Sequence, residues 1–223
     1  MSPRATRALE NAMRRLGYGR IAGVDEVGRG SLAGPVLAAA VVLDPARHIS
    51  GLRDSKQLTP ACRELLFARI TSEAAAWSVA AVEVAEIDRL NIHRASLHAM
   101  HLAVSAIAPP PDFVLVDAFR IPELSVPQRG VVHGDDRCAA IAAASIVAKV
   151  RRDALMCELH ARDPRYGFDR HKGYATAAHL EAMARHGYSE VHRRSFRPPS
   201  LFDVLGAEST SDGSGEERPE STR

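Results

Sequence analysis

Asp25-Glu26-Val27-Gly28-Arg29-Gly30 closes an apolar run with two adjacent carboxylates, then sets two glycines around one cation. Carboxylate oxygens hold hard divalent cations, and glycine lets another backbone come close, so the segment fits chemistry on a phosphate–sugar chain. Asp117 and Asp135 also follow apolar stretches and are candidates to complete the site. Three or four oxygen ligands, with no His or Cys among them, favour magnesium or manganese over zinc. Two such ions roughly 4 Å apart activate water and offset charge on the leaving oxygen in phosphodiester hydrolysis. The combination describes a metal-dependent enzyme acting on a nucleic-acid backbone. Single members say less. Asp135 stands equally where a helix N-cap would, and Asp117 where a turn residue would. Asp25 and Glu26 point to opposite faces of a regular strand, so they share a site only where the strand ends or twists. Gly28 and Gly30 supply that irregularity.

These residues need elements to position them. Ile21 to Val24 and Val36 to Leu43 read as strands, neighbours in antiparallel pairing across a Gly-rich connection. Thr59-Pro60 is an N-cap and first-turn pair for a helix to about Ala76. Trp77 to Val84 resumes a strand pattern, and Glu86 to Ile107 reads as one long helix stopped by Pro109, Pro110 and Pro111. Phe113 to Val116 is a buried-strand signature that delivers Asp117 at its C-terminal end, and Val131-Val132 reads as a further short strand. Asp136 to His160 reads as a helix, and Thr176 to His186 as the last one. The pattern predicts an α/β fold, a mixed sheet layered with helices and ending in a helical C-terminal part.

With 223 residues, 46% of them hydrophobic, the chain can bury one domain-sized core. A formal charge of +2 does not decide the partner, because an acidic, polar tail masks a basic body. The expected division is an N-terminal extension with a short amphipathic helix over 1–19, a catalytic domain over 20–204 and a disordered tail over 205–223. Cys62, Cys138 and Cys157 form no C-x-x-C pair and read as inert thiols. No run is long and apolar enough for a membrane span, so the reducing cytoplasm is the default location and a monomer the default state. His93, His98 and His101 lie on one helical stretch without the ligand set of a zinc site.

Five segments, in order, resemble the ribonuclease HII (type 2 ribonuclease H) family: Gly23 to Gly30 with Leu32-Ala-Gly-Pro35, Asp54-Ser-Lys-Gln-Leu58, Val114-Leu-Val-Asp117, Gly134-Asp135 leading to Ala142 through Lys149, and His171-Lys-Gly-Tyr174. The resemblance implies an RNase H-like fold. It also implies endonucleolytic cleavage of RNA in RNA–DNA hybrids, and 5′ of single ribonucleotides in duplex DNA, leaving 5′-phosphate and 3′-hydroxyl ends. It makes Asp25, Glu26, Asp117 and Asp135 the catalytic metal ligands. Gly28-Arg29-Gly30 then reads the 2′-hydroxyl, the group that separates RNA from DNA, and Tyr174 senses the ribo-to-deoxy junction. Lys56, Lys149, Arg152 and Lys172, with the Ser145 hydroxyl, form the expected phosphate-contact set, although Lys149 and Arg152 equally fit a solvated helix face and Ser145 close packing. Ser31, Ala118 and His133 depart from the family's more usual residues without touching a carboxylate. A same-fold nuclease with no taste for single ribonucleotides, and a silent hybrid-binding module, are the competing readings.

Overall fold

The computed structural model describes residues 5–196. Its core is one mixed sheet of β1 (Ile21–Val27), β2 (Val36–Val42), β3 (Ala76–Val82), β4 (Phe113–Asp117) and β5 (Gln128–Val131), ordered β3-β2-β1-β4-β5. Around it run α1 (Ala8–Arg15), α2 (Pro60–Glu73), α3 (Val84–Leu90), α4 (Ile92–Ser105), α5 (Gly134–Arg137), α6 (Ala139–Arg162), α7 (Phe168–His171) and α8 (Ala177–His186).

β1 and β2 pair antiparallel, as their short connection requires, and β4 enters beside β1 in parallel after a helical crossover. Strand residues alternate between faces, and β2 buries both. Ala39 and Val41 join a core layer with α6, while Ala38, Ala40 and Val42 join the layer under α4. Small side chains let helices lie close on each side. At Gly23 the fit is absolute: a Cβ there would stand 2.1 Å from the carbonyl carbon of Ala140 at the start of α6.

Two expected helices prove to be pairs. The Glu86–Ile107 stretch breaks at Asn91, which takes φ +72° and uses its side chain to cap α4 at Arg94 N–H. With ψ at 160° the chain leaves helical geometry for one residue, which the side-chain cap supports, and the hydrophobic pattern runs through the break unaltered. The 136–160 helix divides into α5 and α6 around extended Cys138. Cys138 offers α6 no side-chain cap, and the missing acceptor comes from far away in sequence: Glu10 of α1 accepts Ala140 N–H at 2.9 Å. Burial pushes both the Glu10 carboxyl and the Cys138 thiol up, which leaves that cysteine inert. The 205–223 tail falls outside the described residues, among which no helix is long and apolar enough to cross a membrane.

Candidate metal and nucleic-acid site

The parallel register pairs Val24 with Val116, so Asp25 and Asp117 follow at the same ends of adjacent strands. Asp25 is 6% exposed, and burial, then Glu26 and Asp117, push its carboxyl well above the usual range. The Glu26 N–H and the Ser145 hydroxyl act in the opposite direction. Glu26 is raised as well, first by burial, although Arg29 Nη1 lies 3.2 Å from its Oε1. Asp135 reaches about 6 through burial and the charges of Asp117 and Asp54, against the pull of Lys56. Asp117 Oδ1 accepts Gly134 N–H at 2.7 Å, which ties the Asp135 turn to the β4 tip.

Four acids thus gather at one sheet edge, with more negative charge than Arg29 and Lys56 offset. Glu26 Oε2 is buried without a hydrogen-bond partner. An all-oxygen set with an orphaned carboxylate oxygen suits a hard cation. Among the described residues, no three acidic, His or Cys side chains stand close enough together to hold a metal ion as they are placed.

The Asp54–Leu58 segment forms its wall. Ser55 Oγ lies 3.0 Å from Ser145 Oγ, and Gln57 donates to Asp136 at 2.8 Å. Lys56 is exposed. Burial lowers its pKa, but Asp54, Asp135, Asp25 and Asp117 together outweigh that and raise it. Ser145, expected to meet substrate, is buried and faces Ser55 and Asp25 instead. An Ala-rich helix packed on β1 leaves it no route outward.

A second expectation is corrected at Arg152. Its guanidinium is fully buried and donates to the carbonyls of Pro35 (3.2 Å), Lys172 (2.9 Å) and Ala33 (3.1 Å). It cannot also meet a phosphate. Arg193 is its counterpart: it donates to Gly34 (2.9 Å) and Arg29 (3.0 Å) carbonyls. Its isolation from the main motifs hid this role. Burial lowers both guanidinium pKa values, and at Arg193 the charge of Arg152 adds to the effect. Lys172 is half-buried, donates to Asp169 O at 2.5 Å and Cys157 Sγ at 3.0 Å, and stays on the surface in the same hollow as Lys149.

Together these groups clamp the Gly28–Pro35 loop onto the Lys172–Tyr174 loop. Leu32 N–H donates to Gly173 O at 2.8 Å, and Ser31 bridges Tyr174. Gly28 holds φ +94° with Arg152 Nε 2.2 Å from where a Cβ would be, so its freedom serves the clamp. Gly30 faces open space. Tyr174 is 37% exposed, with Lys149 and Arg152 each 5.8 Å from its ring centroid. Lys149 also pairs with Asp153 at 2.8 Å and lines one surface hollow with Arg63 and Arg170.

The fold and the acidic edge define a class, the RNase H-like proteins. The crystal structure of ribonuclease H2 from Pyrococcus horikoshii superposes with TM-score 0.67 at 24% identity, covering 86% of this chain and 98% of that one. Bst-RNase HIII in complex with Mn2+ matches with TM-score 0.63 at 21% identity, over 90% and 73% of the two chains. The Ribonuclease HII family model matches residues 22–198, and a Thiobacillus denitrificans ribonuclease HII is 58% identical over 82% of this chain and 89% of its own length. The chain belongs to the ribonuclease HII family, endonucleases that hydrolyse RNA in RNA–DNA hybrids.

Proposed function

We propose that this enzyme cuts RNA strands of RNA–DNA hybrids and also nicks duplex DNA on the 5′ side of a single embedded ribonucleotide, leaving 5′-phosphate and 3′-hydroxyl ends. The observation that carries this reading is the locking of Gly28–Gly30 and Tyr174 into one unit beside the four carboxylates. Asp25, Glu26, Asp117 and Asp135 would hold two magnesium or manganese ions. When bound, such ions ionise water and offset charge on the leaving oxygen.

The protein's own part is positioning. Gly30, open to solvent, admits the ribose, where backbone groups of the Gly28–Gly30 loop meet the 2′-hydroxyl. Arg29 braces Glu26 and stacks 4.9 Å from the Phe119 ring, and its remaining exposed edge is placed for a phosphate. Stacked on the next sugar, the Tyr174 ring favours a deoxyribose, which lacks the crowding 2′-hydroxyl. Lys56 and Lys149 supply backbone charge contacts. The three free thiols suit a reducing cytoplasm, and the enzyme acts as a monomer.

The test is a DNA duplex carrying one ribonucleotide, incubated with magnesium, with manganese and with chelator. Metal-dependent nicking 5′ of the ribonucleotide, absent in Asp25→Ala, is the expected result. Cleavage of long hybrids without that nick would reduce the activity to general hybrid hydrolysis.

A further inference from the structure

Behind Tyr174 lies a group of histidines that the proposed chemistry does not use. Their hydrogen positions follow from geometry, because a backbone N–H can only donate. Ser189 N–H points at His192 Nδ1 at 2.9 Å, so that nitrogen is bare and also accepts the Ser189 hydroxyl at 2.7 Å. The His192 hydrogen therefore sits on Nε2, which faces His179 Nε2 at 3.0 Å. His179 must accept there, so its own hydrogen is on Nδ1, 2.9 Å from the carbonyl oxygen of Tyr174. His171 is fixed in the same way. Gly173 N–H donates to its Nδ1 at 3.2 Å, and its Nε2–H meets Tyr166 O at 2.7 Å.

His171 and His179 stack with centroids 4.4 Å apart, and the edges of Phe168 and Tyr166 enclose the group. His179 and His192 are buried. Burial lowers the pKa of all three, in keeping with neutral rings. Every donor in the relay has one acceptor.

We infer that Ser189, His192 and His179 form a one-directional hydrogen-bond relay that fixes the Tyr174 main chain, and that His179 is thereby a positioning residue for selection of the ribo-to-deoxy step. The inference rests on the reading of Tyr174 as the junction sensor. Tyr174 lies between Gly173, whose conformation (φ +82°) is held by Leu32, and Thr176, which caps α8 at His179 N–H. Its carbonyl is the main-chain group on which the relay ends, accepting His179 Nδ1–H. A ring that must lie flat on one sugar tolerates little rotation of its own backbone.

Two substitutions divide the role. In His179→Asn the side-chain amide lies where Nδ1 lies and retains the donor to Tyr174. In His179→Gln it lies where Nε2 lies and keeps only the His192 side. The readout is the kcat/KM ratio for a duplex with one ribonucleotide over a uniform RNA–DNA hybrid, with Tyr174→Ala alongside. Expected is a ratio near wild type in His179→Asn and about tenfold lower in His179→Gln, the loss of one hydrogen bond's worth of positioning. Hybrid cleavage is retained, and no further fall follows when His179→Gln is added to Tyr174→Ala. A lowered ratio in Tyr174→Ala with none in His179→Gln overturns the relay and leaves the junction reading standing, as does an equal fall on both substrates in His179→Gln. An unchanged ratio in Tyr174→Ala removes the junction reading and the relay with it. Independent of any variant, two-bond 15N–1H spectra of the wild-type protein must place hydrogen on Nδ1 of His179 and Nε2 of His192; the opposite tautomers overturn the proposal.

Discussion

The sheet edge and the C-terminal clamp are both buried, polar and close together, yet they are built on opposite terms. At the edge, Asp25, Glu26 and Asp135 are all raised in pKa, and Glu26 Oε2 has no partner. At the clamp, Arg152 places its guanidinium on three carbonyls, and the histidine relay runs donor to acceptor from Ser189 to Tyr174. The edge holds repulsion that a cation would relieve. The clamp carries no such surplus of negative charge, and although Ser31 Oγ and Arg193 Nη2 lack partners, its hydrogen-bond network fixes two loops in a single geometry. A site that binds ions and turns over needs unspent charge, whereas a surface that measures a sugar needs rigidity.

Neutralising one member of the edge tests that contrast most strongly. Asp25→Asn should lower hybrid cleavage at least about 10³-fold. Measured in chelator, its resistance to urea should rise by about 2 kcal/mol, because a buried like-charge contact disappears. Activity and stability moving in opposite directions is the signature; a destabilised Asp25→Asn would show that the edge is not repulsive. The clamp should respond in the other sense. Arg152→Ala leaves the carbonyls of Ala33, Pro35 and Lys172 without their donor and should cost about 3–5 kcal/mol. Arg152→Lys keeps the charge but not the three-way geometry, so its melting temperature should fall nearly as far. If Arg152 met phosphate instead, Arg152→Lys would melt like wild type and change only the salt dependence of KM.

The same comparison explains what could be read from sequence. Carboxylates at strand tips announce themselves by residue type and by the apolar runs before them, so Asp25 and Asp117 were legible, as was the antiparallel start of the sheet. Arg152 and Ser145 were not, since a basic or hydroxyl residue beside an active-site motif carries no mark of which way it faces. Three residues after Lys149 on a helix, Arg152 is turned far enough round to enter the core, and no hydrophobic pattern records that. Arg193, His179 and His192 lie outside the strong motifs, and their roles exist only once the chain has returned to residues 31–34. The break at Asn91 was hidden because asparagine changes the backbone without interrupting the apolar period.

Acid sharpens the contrast from the clamp side. Burial, then His179 and Arg194, hold His192 down to about 4, opposed by Asp163 and with His171 adding to the shift. The unfolded state, with an ordinary imidazole near 6.5, binds a proton first as pH falls. The stability contribution of the neutral ring is therefore complete above about pH 6.5, declines toward about pH 4 and is lost below it, by up to about 3 kcal/mol. Urea midpoints between those limits should slope downward with acid in wild type and slope less in His192→Gln. Equal slopes would mean that the relay is not neutral in the folded protein.

Smaller effects are expected at the two lysines of the surface hollow beside Tyr174. Lys149→Ala should weaken duplex binding a few-fold and reduce the slope of log affinity against log salt by about one. Lys172→Ala should lower the slope by a similar amount, because bonds to Asp169 O and Cys157 Sγ leave its charge uncompensated. At the β4 tip, Ala118 takes φ +54°, a conformation that costs an alanine about 1 kcal/mol relative to glycine. Its N–H is anchored to Val131 O at 2.9 Å, so the turn cannot relax out of that region. Ala118→Gly should thus raise stability, but by less than 1 kcal/mol, because glycine also gains freedom in the unfolded chain. Cleavage should be unchanged, since Asp117 keeps its bond to Gly134 N–H. A loss of activity in Ala118→Gly would mean that the strained residue holds the Asp117 carboxylate in place, and the edge would then depend on a locked geometry as the clamp does.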